Sequence, residues 1–540
     1  MRLRGSVEAT AVVLGGILLA CVFTLPVIFH FTNAGRIDTN DGRWSIWVVS
    51  WVAHALTTDP SQLFRANIFH PHANALAFSE GNIVAGVIGA PVWWLTKNPY
   101  ATHNFVFLFA FVQSFVATYY LVRHLTGDRR AATICGVMYA YCPFAFVRQA
   151  HIQLLMIGFL PWCLLAWHRF LDRVSIGRAI ELGLVMASTG LACAYYGVFA
   201  GGMIACATIW FGYTRRRWND LAYIGHVALA AIVCLGVIGP FFLPYLQMQD
   251  STGFQRELSG QYSANVGAWL ASSAWAHRWW FPYLTRPSEV LFPGILAIVL
   301  GVAGAKVALK SNVRDVAVYY IALAVFTLWI TFGPAAGLYT LLYYTIPVFS
   351  FLRAPSRAGI VVTLCLVVLA APTIVAILRR RGANVAGALL LVLVSADLYR
   401  APLRTREAAP LPAAYRELAT LPKAPTIVMP YWATPIEFHG HAEYMLASTS
   451  HWQPLINGYS DHIPQDFRDT APILNTFPSR EAFAALERLQ GRYVVVHLDL
   501  MNRENRDRMM RRLDSDFAQY LRPLNKDGDV WLYEITSWPR

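Results

Sequence analysis

The chain has 540 residues, of which 56% are hydrophobic and 14% charged, with a mean hydropathy of +0.42 and a formal net charge of +13. A soluble protein carries about 25% charged residues, so the composition excludes an ordinary soluble globular class. It also excludes nucleic acid as the reason for the basic balance: Lys and Arg fall in short clusters between apolar runs of about 20 residues, which is the topology signal of a polytopic membrane protein.

The N-terminus, MRLRGSVEATAVVLGGILLACVFTLPVIFHF, begins like a signal sequence, and Leu18-Leu19-Ala20-Cys21 looks like a lipoprotein cleavage box. The apolar run continues through Phe31, too long for a signal h-region, so an uncleaved first helix is expected over 9–31. Further spans are expected over 103–124, 130–147, 152–171, 177–193, 196–213, 220–246, 290–309, 315–333, 358–379 and 383–399, about eleven in all by the length rule. All 8 cysteines lie in apolar segments without CxxC or metal spacing and read as small core residues.

The segment 82–97, NIVAGVIGAPVWWLTK, is short for a span and interrupted by Pro91. The basic clusters decide its fate. If it does not cross, Arg123/Arg129/Arg130, Arg169/Arg173/Arg178, Arg215–Arg217, Lys306/Lys310/Arg314 and Arg379–Arg381 all face the cytoplasm, as the positive-inside rule asks. If it crosses, all move outside. It is therefore read as re-entrant or interfacial, with Glu80 opening it as a helix N-terminal acid that the dipole would stabilise.

This topology sends the remaining polar residues to the outer face: Asp38, Asp41, His70, His72, Glu80, Arg148, His151, Gln153, Tyr195, Tyr196, the loop 247–289 with Tyr262, Arg353 and Arg357. That is the pattern of an outward-facing active site, which a transporter gate would share. After residue 400 the composition changes. Pro402, Pro410, Pro412, Pro422 and Pro425 mark a stiff linker. The β-type runs at 426–432, 492–498 and 529–535 then alternate with helix-type segments at 412–421, 480–490 and 502–521. The expected organisation is a membrane domain over 1–400 and a small α/β domain over 401–540.

The loop Gly35–Trp44, GRIDTNDGRW, puts Asp38 and Asp41 at the mouth of a membrane helix. A carboxylate there costs free energy unless it is solvated, paired or chemically used. Either acid could serve as a base. Asn40 and Asp41 equally suit the N-cap of the following helix, WSIWVVSWVAHAL. Arg353 and Arg357 precede a span on the outer face, against the positive-inside bias; they suit phosphate oxygens or snorkelling to headgroups. His151 reads as a donor-orienting or an interfacial structural residue. His70 and His72 with Asp41 lack a third firm metal ligand. Trp275, Trp279, Trp280 and Tyr283 read as an aromatic belt or a sugar platform.

The stretch GRIDTNDGRWSIWVVSWVAHALTTDPSQLFRANIFHPHANALAFSEG resembles the first outer loop of bacterial GT-C membrane glycosyltransferases. It resembles more closely a subfamily with the pattern GD…W…W…HAL…NIF…P…LA…SE, through Trp47, Trp51, His54-Ala55-Leu56, Asn67-Ile68-Phe69, Pro71, Leu76-Ala77 and Ser79-Glu80. Further matches run through Leu125-Thr126-Gly127, His151 with Gln153, Tyr196-Gly197, Tyr262-Ser263-Ala264, Leu291-Phe292-Pro293-Gly294, Arg353-Ala354-Pro355-Ser356-Arg357, Asn457-Gly458-Tyr459-Ser460 and Arg492–His497.

The resemblance implies a mainly α, GT-C-type membrane domain followed by a small α/β periplasmic domain. It implies an inverting transfer of a hexose or pentose from a polyprenyl-phosphate donor, in a multi-pass protein of the bacterial inner membrane. Asp41 takes the acid of the GD pair by alignment, but Asn40 stands where the pattern has Gly, so Asp38 stays beside it. On this reading Arg353, Arg357, Arg148 and His151 hold the donor phosphate, and Glu80, Gln153, Tyr195, Tyr196 and Tyr262 hold substrate. No metal ligands are assigned, although a divalent cation on carboxylates would be another way to hold a leaving phosphate. The expected partners are the lipid-linked sugar and membrane lipids. The competing class is a transporter or lipid flippase for envelope glycolipids. It is disfavoured because the span interiors carry almost no ionisable groups and the sequence shows no internal repeat.

Overall fold

The computed structural model describes residues 2–253, 256–380 and 382–540. Phe254 and Gln255 of the expected outer loop, and Arg381 of the last basic cluster, lie outside the described residues. The chain is mainly helical with a small sheet near its C-terminus. Among the described residues, 8 helical stretches are long and apolar enough to cross a membrane: Gly5–Phe23, Pro99–Thr126, Arg129–Val147, Ile152–Asp172, Ala194–Thr214, Leu221–Asp250, Arg314–Thr331 and Pro355–Leu378. This is a multi-pass membrane protein.

The other expected spans are shorter. Ile176–Ala192, Ile295–Ala308 and Ala383–Leu398 have 17, 14 and 16 residues. At about 1.5 Å per residue they reach roughly 21–26 Å, against a hydrocarbon core of about 30 Å. The span expected from residue 290 starts only at Ile295, because Gly294 stands before it at φ 103°. The first helix, α1 (Arg2–Phe23), ends well before Phe31. A run of turns follows, and Pro26 within it has no N–H to continue a helical ladder. Next come α2 (Asn40–Thr58), α3 (Ile83–Thr96), α4 (Pro99–Thr126) and α5 (Arg129–Ala140). At 14 residues, α3 is about 21 Å long and falls short of a span.

The chain forms two compact units, one of Met1–Phe29, Phe105–Leu243 and Gln255–Arg404, the other of His30–Asn104, Pro244–Phe254 and Thr405–Arg540. In the first unit, small residues let helices approach closely. A Cβ on Gly304 would lie 1.9 Å from the Leu369 carbonyl oxygen, and one on Gly301 would lie 2.8 Å from that of Leu366. One end of this bundle collects the basic clusters. Glu8 accepts from Arg123 at 3.2 Å and pairs with Arg129. Arg130 donates to the Leu378 carbonyl at 3.2 Å, and His124 meets Asp172 at 2.9 Å. Arg169 lies 3.0 Å from Glu181, and Arg215 lies 3.1 Å from Asp315. Chain direction then places Arg148, Tyr195, Arg353 and Arg357 at the other ends of the same helices.

The second unit is larger than the segment after residue 400. Its sheet runs β3 (Thr426–Met429), β4 (Tyr493–His497), β6 (Val530–Ile535), β5 (Leu521–Asn525), with β3 parallel to β4 and the other pairs antiparallel. The apolar runs mark β3, β4 and β6. The exposed, Pro-containing β5 carries no such run, and Pro is tolerated there at a sheet edge. The helix expected over 502–521 covers only Arg503–Arg511 before further tight turns. A two-residue ladder joins β1 (Ala34–Gly35) to β2 (Arg406–Glu407). Residues 67–70 run alongside 455–457: Leu455 N–H donates to the Asn67 carbonyl at 3.0 Å, Phe69 N–H to Asn457 at 3.0 Å, and His70 N–H to Leu455 at 2.9 Å. The Asn67 side chain reinforces this, accepting from Trp47 Nε1 at 3.2 Å and donating to Ser448 Oγ at 3.0 Å. The helices α2 and α3 pack where Gly86 meets Val52, at a distance that a Cβ would reduce to 2.3 Å.

Candidate functional site

In the first unit the site-bearing segment lies just before the helix Gly359–Leu378. Pro347 and Pro355 open 3₁₀ turns, Pro347–Phe351 and Pro355–Ala358; Arg357 lies on the second and Arg353 between the two. The Arg353 N–H donates to Tyr195 Oη at 2.9 Å. The Arg353 guanidinium carbon lies 5.2 Å from the Tyr262 ring centroid, and that of Arg357 lies 4.3 Å from Tyr195. The Ser356 N–H donates to the Tyr262 carbonyl at 3.3 Å. Ser356 is fully buried, and its hydroxyl has no hydrogen-bond partner among the described residues. The structure thus brings four expected residues together: Arg353, Arg357, Tyr195 and Tyr262.

Arg148 follows α5 and the short helix Pro143–Val147, over the Phe144 ring at 4.8 Å. Its Nη2 donates to Glu289 Oε2 at 2.6 Å, with side chains 11% and 15% exposed. Glu289 is the residue that sequence reasoning missed: a lone acid in a long loop carries no periodic signal. The His151 N–H continues the turn by donating to the Arg148 carbonyl at 2.9 Å. Gln153 is buried, with Oε1 unpartnered among the described residues. Tyr196 is fully buried and spends its hydroxyl on the Leu154 carbonyl at 2.6 Å.

Asp38, Asp41 and Glu80 belong to the second unit. Arg36 holds Asp38 in a forked contact, Nε to Oδ1 at 2.8 Å and Nη2 to Oδ2 at 3.3 Å. The cap of α2 is Thr39, whose Oγ1 accepts from the Gly42 N–H at 3.2 Å, so the capping role falls to neither Asn40 nor Asp41. Asn40 instead accepts from Arg43 at 2.8 Å. Gly42 is required by close approach, since a Cβ there would sit 2.0 Å from the Arg36 carbonyl oxygen. Asp41 is left exposed in the first turn, where the helix dipole favours its charge. Glu80 stands before α3 rather than in it: Asn82, at φ 52°, is the cap residue, and the first turn holds no acid.

His72 is committed to Asp466 at 3.0 Å. Burial, then the nearby Arg65 charge, push the His70 pKa down. Among the described residues no three His, Cys, Asp or Glu side chains gather to hold a metal. In the loop after Asn265, Trp275 Nε1 donates to the Ala401 carbonyl at 2.8 Å, while Trp279 and Tyr283 are exposed. His277 links Ser272 Oγ at 2.7 Å to Asp397 at 2.8 Å, and Asp397 also accepts from the Leu296 N–H at 3.1 Å. That chain clasps the loop to the helix Ile295–Ala308.

The chain matches no family model and no curated protein. Among solved structures it is similar to the archaeal oligosaccharyltransferase AglB from Archaeoglobus fulgidus, in complex with an inhibitory peptide and a dolichol-phosphate. The identity is 13% and the TM-score 0.48, covering 91% of this chain and 69% of that one. It is also similar to ArnT from Cupriavidus metallidurans in the apo state, at 14% identity and a TM-score of 0.42, covering 99% of this chain and 98% of that one.

Proposed function

We propose that the protein is a membrane glycosyltransferase that moves a sugar from a polyprenyl-phosphate donor to a cell-envelope acceptor on the outer face of the inner membrane. The observation that carries this reading is the placement of Arg353 and Arg357 over the Tyr262 and Tyr195 rings at helix ends of the first unit. A guanidinium is attracted to an aromatic face, and its planar fork of N–H donors suits bidentate contact with phosphate oxygens. The base comes from the loop Gly35–Trp44. Asp41 takes this role by the resemblance of the loop to the first outer loop of GT-C enzymes, with Asp38 as the alternative. In an inverting displacement the acceptor hydroxyl loses its proton to Asp41 as its oxygen bonds the anomeric carbon. The bond from that carbon to the phosphate oxygen breaks, and the arginines take up the charge of the leaving polyprenyl phosphate. The 401–540 segment is assigned to the periplasm.

The test is transfer of radiolabel from a polyprenyl-phosphate-linked sugar to an envelope acceptor by the purified protein. Transfer supports the enzyme. Translocation of the intact lipid across a vesicle membrane, without transfer, would establish the transporter class instead.

A further inference from the structure

We propose that a groove at the basic end of the first unit is a site for one anionic phospholipid, with its phosphate at Arg129 and one acyl chain lying along Gly15. The groove has a volume of about 610 Å³, and ligand sites run from roughly 300 to 1,000 Å³. Its apolar wall is one face of α1, with Ala11, Gly15 and Leu19 at helical spacing, against Phe115 of α4. A Cβ built on Gly15 meets nothing within 4 Å, so the missing side chain leaves open space. Only 22% of the apolar stretch of α1 is buried inside the protein, so the groove lies beside a helix that lipid can reach.

The polar end of the groove is built. Glu8 Oε1 accepts from Tyr119 Oη at 2.7 Å and from Arg123 Nε at 3.2 Å, and its other oxygen meets Arg129. The Glu8 side chain is 16% exposed and that of Arg129 59%. Glu8 is therefore consumed inward while Arg129 faces outward. A guanidinium carries five N–H donors, and one acid facing Arg123 and Arg129 leaves a surplus positive charge. A headgroup phosphate would meet that charge at the level where α4 ends and α5 begins, with its chain in the apolar groove. This site is independent of the sugar-transfer reading, which concerns the other ends of the helices.

The test uses the full-length protein in detergent, with phosphatidylglycerol or phosphatidylcholine added and retained lipid read by native mass spectrometry. One phosphatidylglycerol should be held about tenfold more tightly than phosphatidylcholine, the scale of one charge-assisted contact. Gly15→Leu fills the groove and should cut retention of both lipids about tenfold. Arg129→Gln should remove the preference for phosphatidylglycerol, lowering its retention more than that of phosphatidylcholine, whose choline cation already offsets its phosphate. Equal retention of the two lipids by the parent protein, unaltered retention in Gly15→Leu, or a surviving preference in Arg129→Gln would each overturn the proposal. If Gly15→Leu does not insert, the Arg129→Gln comparison decides alone.

Discussion

The two ends of the first unit use arginine in different ways. At one end Arg169, Arg178 and Arg215 are matched to Glu181 and Asp315, and the charges hold helix ends together. At the other end Arg148 is matched to Glu289, while Arg353 and Arg357 lie over tyrosine rings, Arg357 on a proline-opened turn. The second unit repeats the distinction within three residues, with Asp38 gripped by Arg36 and Asp41 presented at a helix start that Thr39 already caps. A charge matched inside the fold contributes to stability. On the proposed reading, Arg353, Arg357 and Asp41 are the charges that meet the ligand.

The largest test of this contrast separates the two acids. Asp41→Asn removes a charge that does no capping, so transfer should fall by roughly 10²–10⁴-fold with insertion unaffected. Asp38→Asn should leave a measurable rate. Loss in Asp38→Asn with activity kept in Asp41→Asn would reverse the assignment.

The uncharged polar network of the second unit provides a pH test. His441 donates from Nε2 to the Trp432 carbonyl at 3.0 Å and accepts from Asn457 at 3.1 Å, and His451 accepts from the Gln453 N–H at 3.0 Å. Burial pushes both rings down to about 3. Unfolded histidine titrates near 6.5, so the folded state binds fewer protons below that pH. The stability they contribute is complete above about pH 6.5 and falls as the pH drops toward 3, by up to about 1.4 kcal/mol per pH unit for each ring. Protection factors for hydrogen exchange at the β3 and β4 amides should therefore fall on acidification. Protection that stays flat from pH 7 to 4 would show that the rings protonate without opening the fold.

Smaller effects separate the two arginine environments directly. The Arg353→Lys/Arg357→Lys double variant keeps charge but loses the fork. Its affinity for polyprenyl phosphate, measured by calorimetry, should weaken about 10–100-fold. Unchanged affinity would make these residues headgroup anchors and move the phosphate site to Arg148 and His151. Glu181→Gln, at the matched end, should leave transfer at the parent rate and lower stability by about 1 kcal/mol in thermal unfolding, since the group is partly exposed.

The sequence made the spans legible wherever apolar runs were uninterrupted, and it singled out Asp38 and Asp41 as acids at the mouth of a helix and Arg353 and Arg357 as charges against the expected bias. It did not reveal what those residues rest on. The cap of α2 lies one position before Asn40 and two before Asp41, because Thr39, Asn40 and Asp41 are all good cap formers and only backbone geometry chooses. The pairing of Arg148 with Glu289 spans 141 residues and leaves no local pattern. The extent of the second unit was hidden for the same reason: pairing between distant segments is written in neither periodicity nor composition.

That pairing of residues 67–70 with 455–457 sets a timetable for synthesis. Asn67 waits for partners 381 and 386 residues later in the chain, Ser448 and Gln453. At about 5–20 residues per second, this delay is on the order of 20–80 s. The loop that carries Asp41 also emerges early, and Gly35 at its start meets its partner Arg406 only when the last quarter of the chain is being made. A ribosome that stops near residue 404 would leave the helical spans inserted, residues 67–70 without 455–457, and Gly35 without its β2 partner Arg406.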